Sequence, residues 1–134
     1  MKIAPEHTEP HILNLMQKPG VGLLLSFVRL FYRLTREAGK KQFLTYYLIA
    51  AHPGCFARDM GRLRAFFLKN LHALPEQIQI FTPTPSTWST LIYWTGKDPF
   101  TGGALFVEKT VSGKEKQKAL FLHRRGTRRR QGFD

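Results

Sequence analysis

Residues 42–55 read QFLTYYLIAAHPGC and predict one buried strand that runs directly into a tight turn. Residues 43–51 are nearly all apolar, aromatic or β-branched and lack strict alternation, which is typical of a strand covered on both faces by helices. His52, Pro53 and Gly54 then end the strand. Ligands of open α/β sheets bind outside the carboxyl ends of the strands, so this turn is a candidate site. An ordinary strand-to-helix connection is the alternative.

Composition favours a single globular domain. The chain has 134 residues and one cysteine, Cys55, so it cannot form an internal disulfide and cannot hold a zinc ion or an iron–sulfur cluster by cysteine alone. No apolar run is long enough to span a bilayer, which predicts no membrane contact. The first ten residues lack the apolar core of a secretory signal, and we therefore expect a cytoplasmic protein.

The net charge of +12 is concentrated towards the C-terminal end. Nine of the 21 lysines and arginines lie at or after Lys109, and five arginines lie within residues 124–130. This pattern predicts a basic, disordered tail over residues 124–134 rather than a basic face. Such a tail binds polyanions weakly and in a salt-dependent way, so a weak nucleic-acid contact is one expectation.

The segment before the central strand predicts a first strand and two helices. Lys2 to Pro5 predict the strand, Glu6 and His7 a polar turn, and Thr8 the N-cap of a short helix. A longer helix is predicted over residues 21–38, with Gly39 as its C-cap. Its apolar residues recur every three or four positions and predict a core-facing stripe: Leu24, Phe27, Val28, Phe31, Leu34 and Ala38.

The segment after the turn predicts three more helices and one more strand. Helices are predicted over residues 59–72, 88–95 and 114–123, and a strand over residues 77–81. Between the strand and the second of these helices lies a rigid proline-containing loop, residues 82–87, which begins Thr82, Pro83, Thr84. Trp88, Tyr93 and Trp94 are interpreted as core or interface residues rather than a base-stacking surface.

The order of these elements predicts parallel strands joined by helices. Strand, helices, strand, helix, strand and helix fit right-handed βαβ crossovers. Three parallel strands cannot close a barrel. The chain is therefore either a small open sheet or a piece of a larger one.

From Lys2 to about Leu122, the amino-acid sequence resembles those of the radical SAM proteins of the YgiQ type. The matching segments occur in order and at matching spacing: KIAPEHTEPHILNLMQKPG, EAGKKQFLTYYLIAAHPGC, FFLKN, QIQIFTPTPSTWST, YWTGKDPF and EKQKAL. The chain is also similar to the later strands of the related methylthiotransferase barrel. There, comparable turns follow the strands at the positions of His52 to Gly54 and of the proline loop.

The resemblance implies an enzyme fold and a division of the chain. The expected class is α/β, the C-terminal part of a partial (β/α)6 radical SAM barrel with parallel strands and a helical C-terminal extension. Residues 1–96 would form the second half of the barrel, residues 97–123 the extension with its helix, and residues 124–134 the tail. The N-terminal half of the barrel would then be the partner of this chain.

The resemblance also implies cofactors and a site. The implied cofactors are S-adenosylmethionine and a [4Fe–4S] cluster. In the resembled proteins a CxxxCxxC loop holds the cluster, and this chain lacks that loop. The expected cofactor-binding residues lie at three strand ends: Glu6 and His7; His52, Pro53 and Gly54; and Thr82, Pro83 and Thr84. Free backbone amides and hydroxyls suit ribose and adenine, and Gly54 permits close approach.

Other residues are interpreted conservatively. Cys55 is expected to be a small buried residue, neither nucleophile nor cluster ligand. The five histidines offer no metal-ligand spacing, so no metal site is predicted. Phe56 stands where the resembled proteins have threonine, which removes an N-cap from the following helix.

Three hypotheses of different classes remain open at this point. The first is part of a radical SAM enzyme that forms a radical on an unknown substrate. The second is a basic nucleic-acid-binding module. The third is a non-catalytic half-barrel that needs a partner chain carrying the cysteine loop.

Overall fold

The computed structural model describes residues 1–75 and 77–122, and this part of the chain has an α/β architecture. Three strands form one parallel sheet in the order β1-β2-β3, as predicted. The strands are β1 (Lys2–Glu6), β2 (Thr45–Ala50) and β3 (Gln79–Ile80). The α-helices in the described ranges are α1 (Pro10–Leu15), α2 (Val21–Glu37), α3 (Ala57–Phe66), α4 (Trp88–Thr95) and α5 (Val111–Leu122).

Among the described residues, helices cover the central strand β2 on one face only. Its side chains alternate across the sheet, and Tyr46, Leu48 and Ala50 are buried against α3 and α5. Thr45 is exposed, while Tyr47 and Ile49 are half-buried and line open cavities. The expectation of helices on both faces is therefore wrong. The apolar run concealed an alternation, because Tyr47 and Ile49 are apolar residues on the open face.

The core lies between the covered face of the sheet and helices α3 and α5. Phe67 is fully buried at its centre, and its ring contacts Tyr46 and Phe121 edge-on at centroid distances of 5.2 Å and 6.0 Å. Edge-to-face pairs of this kind add to the free energy gained by burial. The remaining core is aliphatic, with Ile12, Leu48, Met60, Leu63 and Ile78.

Two helices begin differently from the prediction. Helix α1 has Glu9 rather than Thr8 at its N-cap, and the Thr8 hydroxyl is buried without a hydrogen-bond partner among the described residues.

Helix α3 begins after Phe56, although the phenylalanine side chain has no atom that could accept a capping hydrogen bond. The Asp59 carboxylate accepts a hydrogen bond of 2.8 Å from the Phe56 backbone amide. This bond satisfies the amide of the N-cap residue, whereas a threonine would have added a side-chain acceptor for an amide of the first turn.

Three predicted elements have other limits. The helix expected over residues 59–72 is α3 followed by a π-helical turn, Phe67–Leu71, and it ends at His72 in the left-handed conformation. The third strand is only Gln79–Ile80, although the Phe81 amide still donates to the Ala50 carbonyl at 2.8 Å. Helix α5 begins at Val111, ahead of the expected Lys114.

Helix α2 matches its predicted span but not its predicted environment. Leu24, Val28 and Phe31 pack partly against the core. Phe27 and Leu34, on the same predicted stripe, are 38% and 50% exposed. The stripe is amphipathic, yet no described element covers its outer part.

Helix α4 has the predicted bounds. The Thr87 hydroxyl accepts from the Thr90 amide at the N-terminus, and Gly96, with φ of 63°, ends the helix. Tyr93 is half-buried, whereas Trp88 is exposed and Trp94 is 68% exposed, so the tryptophans are not core residues. A role in an interface stays a prediction.

Strand β1 lies at one side of the sheet and borders an apolar groove of about 330 Å³. The Lys18 ammonium donates to the Ala4 carbonyl at 2.8 Å and pairs with the Glu6 carboxylate at 3.5 Å. The groove continues towards α2 and is lined mainly by Ile3, Pro5, Leu13, Val21, Leu24 and Phe27.

The predicted division of the chain at residues 96 and 97 stays a prediction. The predicted tail, residues 124–134, and its proposed nucleic-acid contact lie outside the described residues. No helix in the described ranges is both long enough and apolar enough to cross a membrane.

Candidate cofactor site

The carboxyl ends of the three strands meet at a cavity of about 350 Å³. Four of the predicted site residues line it, namely Glu6 after β1, His52 after β2, and Thr82 and Thr84 after β3. The remaining lining residues come from the open face of the sheet and the start of α4: Tyr47, Ile49, Gln79, Ile80, Phe81, Thr87 and Ser89. The sheet topology therefore brings together predicted site residues that are up to 78 positions apart in the chain, Glu6 and Thr84.

A left-handed residue that is not glycine stands at the carboxyl end of both strands, as the last residue of β1 and as the residue after β2. Glu6 has φ of 63° and Ala51 has φ of 56°. Such backbone is sparsely populated and persists only where surrounding contacts hold it. At Ala51 the contact is a buried hydrogen bond of 3.1 Å from its amide to the Gln117 side-chain carbonyl.

His52 is a buried, neutral imidazole with both ring nitrogens paired. A carbonyl can only accept, so Nδ1 carries the proton that is donated to the Pro53 carbonyl at 2.7 Å. Nε2 then accepts from the Ser89 hydroxyl at 2.7 Å. Burial lowers the pKa of His52 from 6.5 to about 4, and the Pro53 hydrogen bond opposes this only in part. The ring also meets Phe81 edge-on at 5.2 Å.

His7 is turned away from the cavity and into the protein. Its Nδ1 accepts the Glu9 amide at 3.1 Å, so Nε2 carries the proton and faces the Cys55 sulfur at 3.7 Å. Burial lowers the pKa of His7 to about 3. The left-handed Glu6 breaks the strand alternation at this point, and neighbouring Glu6 and His7 consequently face different surroundings.

Cys55 is a fully buried thiol, as predicted. Burial raises its pKa to about 12, with a further increase from the Asp59 carboxylate. At neutral pH the sulfur is therefore protonated, and it donates to the Phe56 carbonyl at 3.6 Å. A protonated, buried thiol is neither a nucleophile nor a ready metal ligand.

Pro53, Gly54 and Pro83 do not line the cavity. The small size of Gly54 serves packing, since a Cβ on this residue would lie 2.6 Å from Leu15 Cδ1. Its φ of 85° also requires glycine. Its amide donates to the Phe106 carbonyl at 2.7 Å and is not free for a ligand. The described contacts of Gly54 are therefore packing contacts, and its expected role in cofactor binding stays a prediction.

The proline loop is fastened to α4 through threonines. The Thr84 amide donates to the Thr90 hydroxyl at 2.9 Å, and the Thr87 hydroxyl donates to the Thr84 carbonyl at 3.3 Å. Thr82 and Thr84 both line the cavity, and the Thr82 hydroxyl donates to the Ile80 carbonyl at 3.4 Å. The loop thus presents hydroxyl groups on a fixed backbone.

Two residues of this region were missed by sequence reasoning. Ser89 holds His52, and the buried Gln117 donates to the Cys55 carbonyl at 2.9 Å while accepting from Ala51. Gln117 thereby joins α5 to both ends of the turn. The available signal was a single uncharged amide within KEKQK, which periodicity alone did not single out.

These features define an α/β chain with a ligand-sized, hydroxyl-rich cavity at the carboxyl edge of a parallel sheet. Curated relatives carry the name UPF0313 protein. The chain is 57% identical over 129 residues to the UPF0313 protein of Fusobacterium nucleatum, which covers 96% of this chain and 23% of the relative. It is 46% identical over 125 residues to that of Thermotoga petrophila, covering 93% and 22%.

A third relative, the UPF0313 protein of Geobacter sulfurreducens, is 44% identical over 134 residues, covering all of this chain and 22% of the relative. The chain thus spans about a fifth of the length of the curated relatives that it matches. No family model matches the chain. No solved structure matches it either.

Proposed function

We propose that this chain is the S-adenosylmethionine-binding part of a radical SAM enzyme, built on the C-terminal part of a partial (β/α)6 barrel. The observation that carries the proposal is the meeting of three parallel strand ends at one cavity, with Glu6, His52, Thr82 and Thr84 in its wall. These residues belong to the segments that resemble YgiQ-type radical SAM proteins. The similarity to UPF0313 proteins covers 96% of this chain but 23% of the relative, which fits a chain that forms one part of a larger barrel.

The residues of the cavity suit the adenosine part of the cofactor. The Glu6 carboxylate can accept hydrogen bonds from two ribose hydroxyls, and the hydroxyls of Thr82 and Thr84 can pair with ring nitrogens. Tyr47 and Ile49 offer apolar surface for a ring. His52, held neutral and oriented by Ser89, adds no charge that would repel a sulfonium ion. His7 and Gly54 contribute by packing behind the wall.

The residues of this chain cannot hold the [4Fe–4S] cluster. Cys55 is the sole cysteine and is a buried, protonated thiol. The ligands of a [4Fe–4S] cluster would therefore come from residues outside this chain, and the substrate would meet the radical in the completed barrel. S-adenosylmethionine would supply the radical precursor. The present residues would bind and orient its nucleoside.

The barrel itself is supported by the shape of the sheet. One face of β2 is covered by helices while the other lines cavities, as expected when strands curve around an interior. The free side of β1 and the apolar groove beside it offer a place for a neighbouring strand and helix. The same groove favours the alternative, a non-catalytic half-barrel that needs a partner chain.

A binding titration tests the proposal. We expect S-adenosylmethionine to bind the 134-residue chain, adenosine to compete and methionine to compete poorly. Thr82→Val and Thr84→Val should each weaken binding about fivefold, because a lost hydrogen bond costs about 1 kcal/mol. Thr45→Val is the matched control, since Thr45 lies on the same open face near the opposite end of β2.

Two outcomes would contradict the proposal. Equal weakening by Thr45→Val would mean that the cavity is not the binding site. Absence of binding, accompanied by self-association in sedimentation, would favour the half-barrel that needs a partner.

A further inference from the structure

A cluster of Glu9, His11 and Asp59 lies outside the cavity, where the start of α1 meets the start of α3. One ligand atom from each side chain lies within 4.8 Å of the other two. His11 Nε2 is 3.4 Å from Asp59 Oδ2. The sequence spacing gave no sign of this cluster, because Asp59 is 48 positions from His11 and the two residues meet only through the fold.

Asp59 is the unusual member of the cluster. The residue is fully buried, yet only one of its carboxylate oxygens is satisfied, by the Phe56 amide. The other oxygen, Oδ1, has no hydrogen-bond partner among the described residues. A buried carboxylate oxygen without a donor is costly, and paired or metal-bound carboxylates are the usual solution.

The charged neighbour of the cluster is Arg62. Its guanidinium lies 3.4 Å from the Glu9 carboxylate and 4.0 Å from Asp59 Oδ1, too far for a hydrogen bond to the latter. The Arg62 side chain is 62% exposed and belongs to an exposed face of α3. Its charge partly neutralises the two carboxylates, but its exposed side chain is not fixed in place by burial.

We infer that Glu9, His11 and Asp59 form a binding site for a divalent transition-metal cation such as Zn²⁺. One imidazole and two carboxylates are a ligand set that Zn²⁺ accepts, with a fourth position left for water. Tetrahedral zinc holds its ligand atoms about 3.3 Å apart. The His11 to Asp59 distance already meets this value, and the Glu9 side chain has to approach by at most about 1.5 Å, the difference between 4.8 Å and 3.3 Å.

The inference is independent of the proposed cofactor cavity. None of the three residues lines that cavity. The cation would tie the helix after β1 to the helix after β2 through Asp59 Oδ2, and its charge would compensate a buried carboxylate whose other oxygen, Oδ1, has no hydrogen-bond partner among the described residues. His11 is 48% exposed, which gives the cation a path from solvent.

Calorimetric titration of Zn²⁺ into the 134-residue chain tests the site. We expect one ion per chain, not displaced by an equal concentration of Mg²⁺, because the imidazole selects against magnesium. Glu9→Gln and His11→Gln should each weaken binding about tenfold or more. His72→Asn is the control, since His72 is an exposed histidine far along the chain and asparagine tolerates its left-handed backbone.

Arg62→Gln separates a metal site from a simple ion network. Removing a competing cation should tighten Zn²⁺ binding. Weaker binding in Arg62→Gln would overturn the inference, as would equal affinity in the His11→Gln and His72→Asn variants or no binding of one ion per chain. Glu9 and His11 are partly exposed, so these variants fold even if an Asp59 variant does not.

Discussion

Helices α2 and α3 are both amphipathic, but only α3 has its apolar face covered. Met60 and Leu63 of α3, and Phe67 in the π-helical turn that follows, are fully buried beneath α5 and β2. On α2, Phe27 and Leu34 remain substantially exposed, and Thr35 is its one buried residue. This contrast between α2 and α3 shows that hydrophobic periodicity identifies the face that a helix offers to a partner. It does not tell whether that partner lies within the same chain.

The same substitution, phenylalanine to alanine, should destabilise the protein far more beside α3 than on α2. Phe67→Ala should lower the free energy of unfolding by about 3 to 5 kcal/mol, because it removes a buried ring and leaves a cavity. Phe27→Ala on α2 should cost less than about 1 kcal/mol, as is usual for surface positions. Urea denaturation of both variants measures the comparison. Equal losses would mean that the α2 face is buried in solution.

The next effect concerns the side chain that joins α5 to the central turn. Gln117→Ala should lower the free energy of unfolding by about 3 kcal/mol, because the Ala51 amide and the Cys55 carbonyl lose their buried partner. Lys116→Ala, at the exposed position next to it, is the control. Denaturation midpoints provide the measurement. A near-zero effect of Gln117→Ala would show that water replaces the amide.

The smallest effect is a pH dependence that arises from the buried His52 at the carboxyl end of β2; helix α2 has no histidine to contribute one. The pKa of His52 is lowered to about 4 in the folded chain, so below pH 6.5 the unfolded chain binds the extra proton first. Stability should fall as the pH drops from about 7 towards 4. The His52 contribution reaches about 2 kcal/mol at pH 5, since each pKa unit corresponds to about 1.4 kcal/mol.

Denaturation of the wild-type chain and of His52→Gln at several pH values isolates this contribution. The variant should lose stability less steeply between pH 7 and pH 5. Identical slopes would mean that folding does not lower the pKa of His52. His72→Asn again provides the control, because the residue is exposed.

The sequence was most informative where a local pattern decides the structure. The spans of α2 and α4 and the parallel order of the strands follow from periodicity, caps and turn residues. The cavity residue His52 was predicted because ligands of parallel sheets bind at the carboxyl ends of the strands, whereas Glu6, Thr82 and Thr84 were predicted from the resemblance to YgiQ-type proteins.

The remaining features depend on contacts between distant positions. Ser89 reaches His52 across 37 positions, and Gln117 reaches Ala51 across 66. No local pattern encodes such pairs. The inward direction of His7 depends on the left-handed Glu6 before it, and the one-sided cover of β2 depends on where the helices pack.

Lys18 limits which strands can pair with the open side of β1. An arriving strand that paired along this side would have to displace the ammonium from the Ala4 carbonyl and leave Glu6 without its counter-charge. A charged lysine at a sheet edge discourages indiscriminate stacking of strands into aggregates. The edge is consequently selective, because only a strand that replaces both the donor and the positive charge can join it without loss.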